Sequence, residues 1–476
     1  MEGKKENMTP IQSNASAPQG DQSVPIFPSQ VFPTVTRHAR LLGIYPQRQP
    51  GQYMHRVRIP GGILSGSQWL ALADIARQFT PRTPLHLTTR QDIELHELSE
   101  ADIPNVEQAL AKAGLTSLGS GGDTLRNIIV CPCCAGGSAD TPDLMPLAQA
   151  ISETLAAYEG LFTLPRKFKI SLACDRGCGR PFAHDLALTA VRSGDGWALR
   201  VVLAGSLGAK PATGIALAQT IEPGEAPALS LAAMRMFDEL GDRQNRTKAR
   251  LRHVRQRLGD EATLAELKQR FQSALAERAW PSIRLATSAL GENARCVLTF
   301  ANGDVTPAAA QALAELAQVA GLSVRIGNDH RIEVFGTDAI VLHRELTRHE
   351  SLRLAAAPQA SVIACPGARW CSRALADTNG LADRIRAALA GKVDGDVMIA
   401  ASGCPNGCAG SAVADVGITG GRSTSGEQVV EKYTVFAGGG RGATDVMAQV
   451  VATGLSADEV VAKAVGLLWP TRPRNE

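Results

Sequence analysis

The stretches SLACDRGCGRPFAHDLALTAV (Ser171–Val191) and AASGCPNGCAGSAVADVGITG (Ala400–Gly420) match each other within one chain. In both stretches, three residues separate the two cysteines. Internal similarity of this kind marks a duplicated structural unit. The pair therefore predicts a fold built from two similar repeats.

The similarity extends towards the N-terminus of each repeat. IIVCPCCAGG (Ile128–Gly137) is similar to VIACPGARWC (Val362–Cys371), and each precedes a helical segment of similar length. Further upstream, His55–Phe79 and Arg295–Gly321 both have an alternating strand, a Gly-containing turn and an amphipathic helix with a Ser or Thr cap. The fold class that follows is α+β, with two pseudo-symmetric repeats, each an α+β half-domain followed by a cysteine-bearing α/β module.

The repeats set the predicted domain boundaries in a chain of 476 residues, which is longer than one compact core usually takes. The predicted parts are a disordered N-terminal tail (1–37), a first half-domain (38–118), a first cysteine module (119–280), a second half-domain (281–350) and a second cysteine module (351–476).

Composition excludes several functional classes. The net charge of +3 is too small to indicate nucleic-acid binding. No apolar run has the length of a membrane span, and no apolar stretch follows the N-terminal lysines as it would in a secretory signal. We therefore expect a cytoplasmic protein with no membrane partner. In that compartment ten cysteines indicate metal or redox chemistry rather than a disulfide framework.

Four cysteines of the second repeat predict an iron–sulfur site. Cys365 and Cys371 form one pair, and Cys404 and Cys408 form another. Four thiolates are what a cubane cluster needs, whereas zinc sites favour shorter gaps than the five residues of the first pair. Gly403 and Gly407 leave room for backbone amides to approach the sulfurs, which helps to stabilise a reduced cluster.

The remaining cysteines carry a weaker signal. Cys296 stands alone in an apolar run and is best explained as a small buried hydrophobe. The first repeat holds the other five: Cys131, Cys133, Cys134, Cys174 and Cys178. A second metal site is chemically possible there, but the compressed Cys-Pro-Cys-Cys run favours unliganded thiols in a degenerate copy.

The cysteine pattern resembles the signature of sirohaem-containing sulfite and nitrite reductases. The resemblance continues from about Gly43 onwards through GIYPQRQPGQYMHRVRIPGG, LTTRQDIELHEL, LRNIIVCP, LPRKFKIS, DRQNRTKARLRHV and SGCPNGCAG. It implies ferredoxin-like half-domains, modules that bind sirohaem and a [4Fe–4S] cluster, and a Cys408 thiolate shared between the cluster and the sirohaem iron.

The resemblance also implies the roles of individual cations. Sirohaem carries eight carboxylates, so its pocket should be rich in Arg and Lys. Residues matched to the anion site are Arg58, Arg126, Lys167 and Lys169, and residues matched to the macrocycle carboxylates are Arg90, Gln91, Arg246, Lys248 and Arg250. Lys167 and Lys169 alternate along a predicted strand and so face the same side. The last three cations belong to a predicted basic helical stretch, Arg243–Gly259, for which a solvated face is the alternative explanation.

The pair Lys167 and Lys169 bears on the substrate. Sulfite reductases of this family typically have both lysines, whereas plant-type nitrite reductases have Asn in place of the second. The preferred interpretation is six-electron reduction of sulfite. Ferredoxin-dependent reduction of nitrite to ammonium, a precorrin-3B synthase-like oxygenase and an iron–sulfur electron carrier remain alternatives. The glycine runs Gly119–Gly122 and Gly438–Gly440 lack the context of a dinucleotide site, so a separate ferredoxin or flavoprotein is the expected electron donor.

Overall fold

The structure is a computed structural model that describes residues 37–134, 141–174, 180–287, 294–357, 360–392, 397–425, 428–440 and 446–468. The predicted N-terminal tail, apart from its last residue, lies outside the described residues, and so does Cys178.

The first segment alternates short strands with helices. Its elements are α1 (Arg37–Leu41), β1 (Ile44–Pro46), β2 (Gln52–Val57), α2 (Gly66–Phe79), β3 (Leu85–Leu87), β4 (Ile93–Ser99) and α3 (Ile103–Lys112). Helix α2 begins after Ser65, whose hydroxyl accepts a hydrogen bond from the Gln68 amide at 3.2 Å. The Gln68 side chain in turn accepts from the Ser65 amide at 3.0 Å, so a capping box fixes the helix start.

The first cysteine module follows. Its elements are β5 (Ile129–Val130), α4 (Met145–Ala156), β6 (Ile170–Cys174), β7 (Leu186–Ser193), β8 (Gly196–Leu203), β9 (Ile215–Ala216), α5 (Ala226–Leu240), α6 (Leu251–Leu258) and α7 (Asp260–Glu277). The strands form one sheet in the order β5-β6-β7-β8-β9. Strands β5, β6 and β7 are parallel, and β8 and β9 are antiparallel.

The second half-domain shares a core with the first. Its elements are β10 (Ala294–Thr299), β11 (Asp304–Val305), α8 (Pro307–Leu316), β12 (Leu322–Ile326), β13 (Arg331–Gly336), α9 (Ala339–Thr347) and α10 (Glu350–Ala355). Strand β11 pairs with β3 and so joins the sheet of the first segment. The buried side chains of Trp69, Leu72 and Leu313 belong to one hydrophobic cluster that spans both segments.

The second cysteine module repeats the topology of the first. Its elements are β14 (Ser361–Ala364), α11 (Gly367–Trp370), α12 (Thr378–Leu389), β15 (Met398–Ser402), β16 (Val416–Ser425), β17 (Gln428–Ala437), β18 (Gln449–Leu455) and α13 (Ala457–Leu468). The sheet order is β14-β15-β16-β17-β18, with three parallel strands followed by two antiparallel ones. A 12-residue helix, α4 or α12, connects the first two parallel strands in each module, as parallel pairing requires.

The predicted duplication is therefore confirmed, and it places cysteines at equivalent points. Cys131 follows β5, and its amide donates to the Leu172 carbonyl at 2.9 Å. Cys365 follows β14, and its amide donates to the Ala401 carbonyl at 3.0 Å. Both modules thus carry cysteines at the carboxyl ends of adjacent parallel strands.

The prediction of one helical stretch over Arg243–Gly259 is wrong in its first half. Asp242 Oδ1 accepts hydrogen bonds from the amides of Gln244 (2.9 Å) and Asn245 (2.7 Å). The Asn245 side chain then accepts from the Thr247 amide at 3.1 Å. Such local side-chain bonds compete with a helix, so the chain forms a short 3₁₀ turn at Arg246–Lys248 and the α-helix begins only at Leu251.

Among the helices in the described parts of the chain, none combines the length and the apolar character needed to cross a membrane.

Candidate active site

A cationic cavity of about 520 Å³ lies where the two modules and both half-domains meet. None of the described residues that line it is Asp or Glu, and two are histidines, His184 and His253. Nine lining residues are Arg or Lys: Arg90, Arg166, Lys167, Lys169, Arg180, Arg246, Arg250, Arg252 and Arg373. A cavity lined by charge of one sign raises the local concentration of the opposite ion, so this one is suited to polyanions.

The structure brings six of the predicted site residues to this cavity. They are Arg90, Lys167, Lys169, Arg246, Arg250 and Cys408. The cavity thus combines cations from three separate motifs with one cysteine of the predicted cluster set.

Lys167 and Lys169 reach the cavity because the residue between them points away from it. Phe168 is fully buried and forms an isolated bridge with Leu125, while strand β6 begins two residues later, at Ile170. The two flanking lysines therefore share the opposite side, as predicted from the alternation.

Burial and crowding of positive charge lower the pKa of both lysines. For Lys167, burial is the main cause, the Arg250 and Arg126 guanidinium groups add to it, and the pKa is lowered to about 7. For Lys169, burial comes first and the nearby Lys167 second, and the pKa lies well below its usual range. Amines of this kind release a proton readily at neutral pH.

A buried carboxylate, missed in the sequence analysis, holds two of these cations in place. Asp185 is fully buried and accepts a bidentate pair of hydrogen bonds from Arg250 Nη2, at 3.0 and 2.9 Å. It also accepts from the Lys169 amide at 3.0 Å. The repeat held a signal for it, because the equivalent Asp415 accepts from the Met398 amide at 2.8 Å in the second module.

Further cations of the cavity were also missed. Arg166 lies within LPRKFK, and its Nη1 pairs with Asp123 at 3.1 Å. Asp123 also accepts from Arg246 Nη2, at 3.2 Å. In Arg252, the buried Nε and Nη1 atoms have no hydrogen-bond partner in the structure, and the same holds for Nε of Arg90. Buried N–H groups without acceptors are costly, so these atoms fit a group that supplies several carboxylates.

Four of the nine residues predicted to contact the anion or the macrocycle carboxylates do not line the cavity. The Gln91 side-chain NH₂ group donates to the carbonyls of Val130 and Ile326, both at 2.7 Å, and its oxygen accepts from the Val130 amide. These hydrogen bonds link the backbone at Val130 to the backbone at Ile326, so Gln91 stabilises the structure around the cavity without lining it. Lys248 is exposed on the 3₁₀ turn.

Two of these four are arginines that lie behind the cavity. Arg126 donates to the carbonyls of Ser120 at 2.9 Å and Gly122 at 2.8 Å. Arg58 donates to the Leu118 carbonyl at 3.4 Å. Both therefore hold the loop before β5. Their charges still act on the lining, because Arg126 helps to lower the pKa of Lys167 and Arg58 that of Arg90.

The predicted cluster cysteines are surrounded by backbone amides. The Gly403 amide donates to Cys365 Sγ at 3.1 Å, as predicted, whereas the Gly407 amide donates to the Cys404 carbonyl rather than to a sulfur. The Ala374 amide donates to the Cys371 carbonyl at 3.2 Å. Burial raises the pKa of Cys371 and of Cys404, and nearby backbone amides act in the opposite direction.

The protonation of these thiols also bears on metal binding. Burial, followed by the charge of Cys408, raises the pKa of Cys365 to about 12. A coordinated metal ion removes such a proton, and amide donors stabilise cluster sulfurs. The four cysteines therefore fit an iron–sulfur cluster, and Cys408 is exposed on the side that faces the cavity.

The first half-domain anchors the loop that carries Cys371. Arg48 Nη2 donates to the Ala374 carbonyl at 2.6 Å, and Gln49 Nε2 donates to the Arg369 carbonyl at 2.6 Å. Trp370 stacks on His96 with 3.9 Å between the ring centroids. The motif GIYPQRQPG therefore contributes to the site indirectly, by holding the loop that carries Cys371.

The fold and the site define a class of redox protein, in which duplicated α/β modules set an iron–sulfur cysteine quartet beside a cavity for a polyanion. Two family models match the chain. The nitrite and sulphite reductase 4Fe-4S domain matches residues 121–275 and 357–472, and the nitrite/sulfite reductase ferredoxin-like half domain matches residues 45–113. The chain belongs to the nitrite and sulfite reductase family.

Relatives of both substrate types are similar to the chain. The assimilatory ferredoxin-dependent nitrite reductase of Haloferax mediterranei is 27% identical over 88% of this chain and 79% of its own length. The sulfite reductase [NADPH] hemoprotein beta-component of Acidithiobacillus ferrooxidans is 30% identical over 78% of this chain and 74% of its own. In fold, the chain resembles the NirA protein of Mycobacterium tuberculosis, with a TM-score of 0.75, 22% identity, and coverage of 89% of this chain and 84% of that one.

Several predictions made from the sequence are confirmed by this membership. They are the family, the α+β fold with ferredoxin-like half-domains, an oxidoreductase activity, and a [4Fe–4S] cluster with sirohaem as cofactors. Relatives named for nitrite and for sulfite match equally well, so the family membership leaves the substrate open.

Proposed function

We propose that this protein reduces sulfite to sulfide with six electrons, in preference to reducing nitrite. One observation carries the proposal: Lys167 and Lys169 both line a cavity without acidic side chains, beside the exposed Cys408. Anions bound in the cavity would favour the protonated form of both lysines. Two half-buried lysines then offer more positive charge and more protons than one, which suits the more highly charged anion.

We assign the cofactors to residues by module. The second module (351–476) would hold the cluster through Cys365, Cys371, Cys404 and Cys408, and Cys408 lines the cavity in which sirohaem would bind. The first module (119–280) and Arg90 would bind the sirohaem carboxylates, and the cations for this role are Arg90, Arg166, Arg246, Arg250 and Arg252. Bound there, the paired cofactors supply electrons to the anion.

The side chains of this chain bind the anion and supply protons. Lys167 and Lys169 attract the anion and donate protons to the oxygens that leave as water, since a pKa lowered to about 7 for Lys167 favours transfer at neutral pH. Asp185 accepts hydrogen bonds from the Arg250 side chain and the Lys169 amide, and so fixes their positions relative to each other. We assign Arg58, Arg126 and Gln91 positioning roles behind the cavity, and Lys248 no direct contact with substrate or cofactor.

Reduction of nitrite to ammonium is the second candidate, because several relatives are named as ferredoxin-dependent nitrite reductases. The electron donor would be a separate protein. The names of the relatives support either a ferredoxin or an NADPH-dependent partner. We expect the enzyme to work in the cytoplasm, where thiols stay reduced.

Product analysis tests the proposal. Protein purified with its sirohaem would be supplied with sulfite and dithionite-reduced methyl viologen under anaerobic conditions. The expected product is sulfide, formed with consumption of six electrons per sulfite. Absence of sulfide, together with ammonium from nitrite in a parallel reaction, would overturn the choice of sulfite while leaving the cofactor assignment intact.

A further inference from the structure

The first module holds a second group of cysteines that the proposed reaction does not use. Cys131 follows β5, Cys133 and Cys134 lie in the 3₁₀ turn Pro132–Cys134, and Cys174 ends β6. Cys131, Cys134 and Cys174 are at most 3% exposed. The compressed cysteine spacing favours unliganded thiols here, but the sulfur atoms are gathered into one group.

The distances from the Cys133 sulfur to the other three sulfurs are close to those between ligands of a single ion. Cys133 Sγ lies 3.1 Å from that of Cys131, 3.7 Å from that of Cys134 and 3.7 Å from that of Cys174. A tetrahedral ion with metal–sulfur bonds of about 2.3 Å separates its thiolates by about 3.8 Å. Thiolates of a cubane attach to different iron atoms and lie farther apart, whereas the sulfurs of Cys131, Cys133 and Cys134 are all within 4.8 Å of one another.

The backbone around these sulfurs is fixed independently of any ion. The Cys134 amide donates to the Cys131 carbonyl at 2.8 Å, and the Leu144 amide donates to the Cys134 carbonyl at 2.7 Å. Thr141 Oγ1 donates to the Cys133 carbonyl at 2.7 Å. The ligands are thus preorganised, as tight binding requires.

The geometry points to one tetrahedral metal ion, zinc or ferrous iron, held by the thiolates of Cys131, Cys133, Cys134 and Cys174. Tetrahedral sulfur sites are typical of these two ions. In the structure Cys131 is disulfide-bonded, and a disulfide sulfur is not a thiolate ligand. The disulfide must therefore be reduced first, by two molecules of a small thiol that supply the two electrons and are themselves oxidised to a disulfide. The ion then binds the reduced chain and displaces thiol protons into the solvent.

Such an ion has a structural role. It ties the turn after β5 to the end of β6 beneath the cavity, where the Cys131 amide already bonds to β6. The inference is independent of the substrate, because the ion lies in the first module and the proposed cluster in the second.

Elemental analysis of the holoenzyme, purified anaerobically with a thiol reductant and without chelators, tests the site. The expected inventory is five iron atoms, four from the cluster and one from sirohaem, plus one further zinc or iron. Cys134→Ser should lose that extra ion, and the matched control Cys296→Ser should retain it. Five iron atoms with no other metal would overturn the inference, and so would the iron content expected for a second [4Fe–4S] cluster.

X-ray absorption on the wild-type holoenzyme keeps the test decisive if Cys134→Ser fails to fold. Where the extra ion is zinc, X-ray absorption at the zinc edge should show four sulfur ligands at a metal–sulfur distance of about 2.3 Å. Where it is iron, substitution by Co²⁺ during expression should give a tetrahedral thiolate absorption spectrum. Oxygen or nitrogen ligands in either measurement would contradict a site made of these four cysteines.

Discussion

The two cysteine modules have the same sheet and the same strand directions, yet they present their cysteines differently. In the first module the sulfurs of Cys133 and Cys174 lie 3.7 Å apart and the group is enclosed. In the second module the set ends in the exposed Cys408, which opens onto the cationic cavity. We infer that the spacing of cysteines in the loops, rather than the shared backbone framework, decides which metal group each module can bind.

The loops show how this difference arises. After β5, the three cysteines are packed into four residues, Cys131–Cys134, and a single 3₁₀ turn brings their sulfurs together. After β14, helix α11 separates Cys365 from Cys371, and Gly403 brings an amide to within 3.1 Å of the Cys365 sulfur. The first loop is suited to one ion and the second to a larger cluster.

Cys408→Ser, in the second module, should have the largest effect on activity. Loss of a direct ligand should reduce sulfite reduction by more than the ~10–100-fold typical of residues in the outer shell of a metal. Steady-state turnover and the visible spectrum would measure activity and cofactor content together. Cys296→Ser, in the half-domain strand β10, is the matched control and should keep both. Wild-type turnover in Cys408→Ser would remove the second module from the reaction.

Lys169→Asn tests how a lysine that lines the cavity affects the preference for sulfite over nitrite. Removing one of two ammonium groups should shift the ratio of kcat/KM for sulfite over nitrite about tenfold towards nitrite, which corresponds to about 1.4 kcal/mol. Both cofactors should remain bound. Lys268→Asn, on an exposed face of α7, controls for the loss of charge alone. An unchanged ratio would remove the basis for choosing sulfite.

The pH dependence of substrate binding follows from Lys167. Burial and neighbouring cations lower its pKa to about 7, so its charge is lost as pH rises through that pKa. Bound carboxylates raise the pKa, which sets the midpoint at or above that value. KM for sulfite should therefore rise several-fold over this range. Lys167→Arg keeps its charge and should flatten the profile, whereas Lys268→Arg should not. A flat wild-type profile would contradict the role of Lys167.

Gln91→Ala should have the smallest effect on catalysis. It tests the hydrogen bonds by which Gln91 links Val130 of the first repeat to Ile326 of the second. The substitution leaves buried groups of Val130 and Ile326 without partners, each at a cost of about 1–3 kcal/mol. The melting temperature should fall, while kcat of the folded holoenzyme changes little. Gln269→Ala, exposed on α7, is the control. A large loss of kcat at unchanged stability would indicate direct contact between Gln91 and the bound group.

The sequence was sufficient for features that depend on local patterns. The duplicated motifs gave the repeat topology, and the alternation around Phe168 gave the common direction of Lys167 and Lys169. Features that depend on distant partners could not be obtained this way. Arg126 lies in a matching motif, but its side chain turns back to the Ser120 and Gly122 carbonyls.

Two further differences have the same physical cause. The role of Asp185 depends on Arg250, which is 65 residues away in the chain, so no window of sequence contains the pair. The grouping of Cys174 with Cys133 depends on the parallel pairing of β5 with β6. A pattern identifies which residue types are present, whereas tertiary contacts decide where their side chains point.

We propose that two lysines beside Cys408 make this cavity a site for sulfite. The most direct test is kcat/KM of the sirohaem-loaded wild-type protein for sulfite and for nitrite, measured with reduced methyl viologen. We expect the higher value for sulfite. A clearly higher value for nitrite would contradict the role given to Lys169, although the fold, the family and the cofactors would stand.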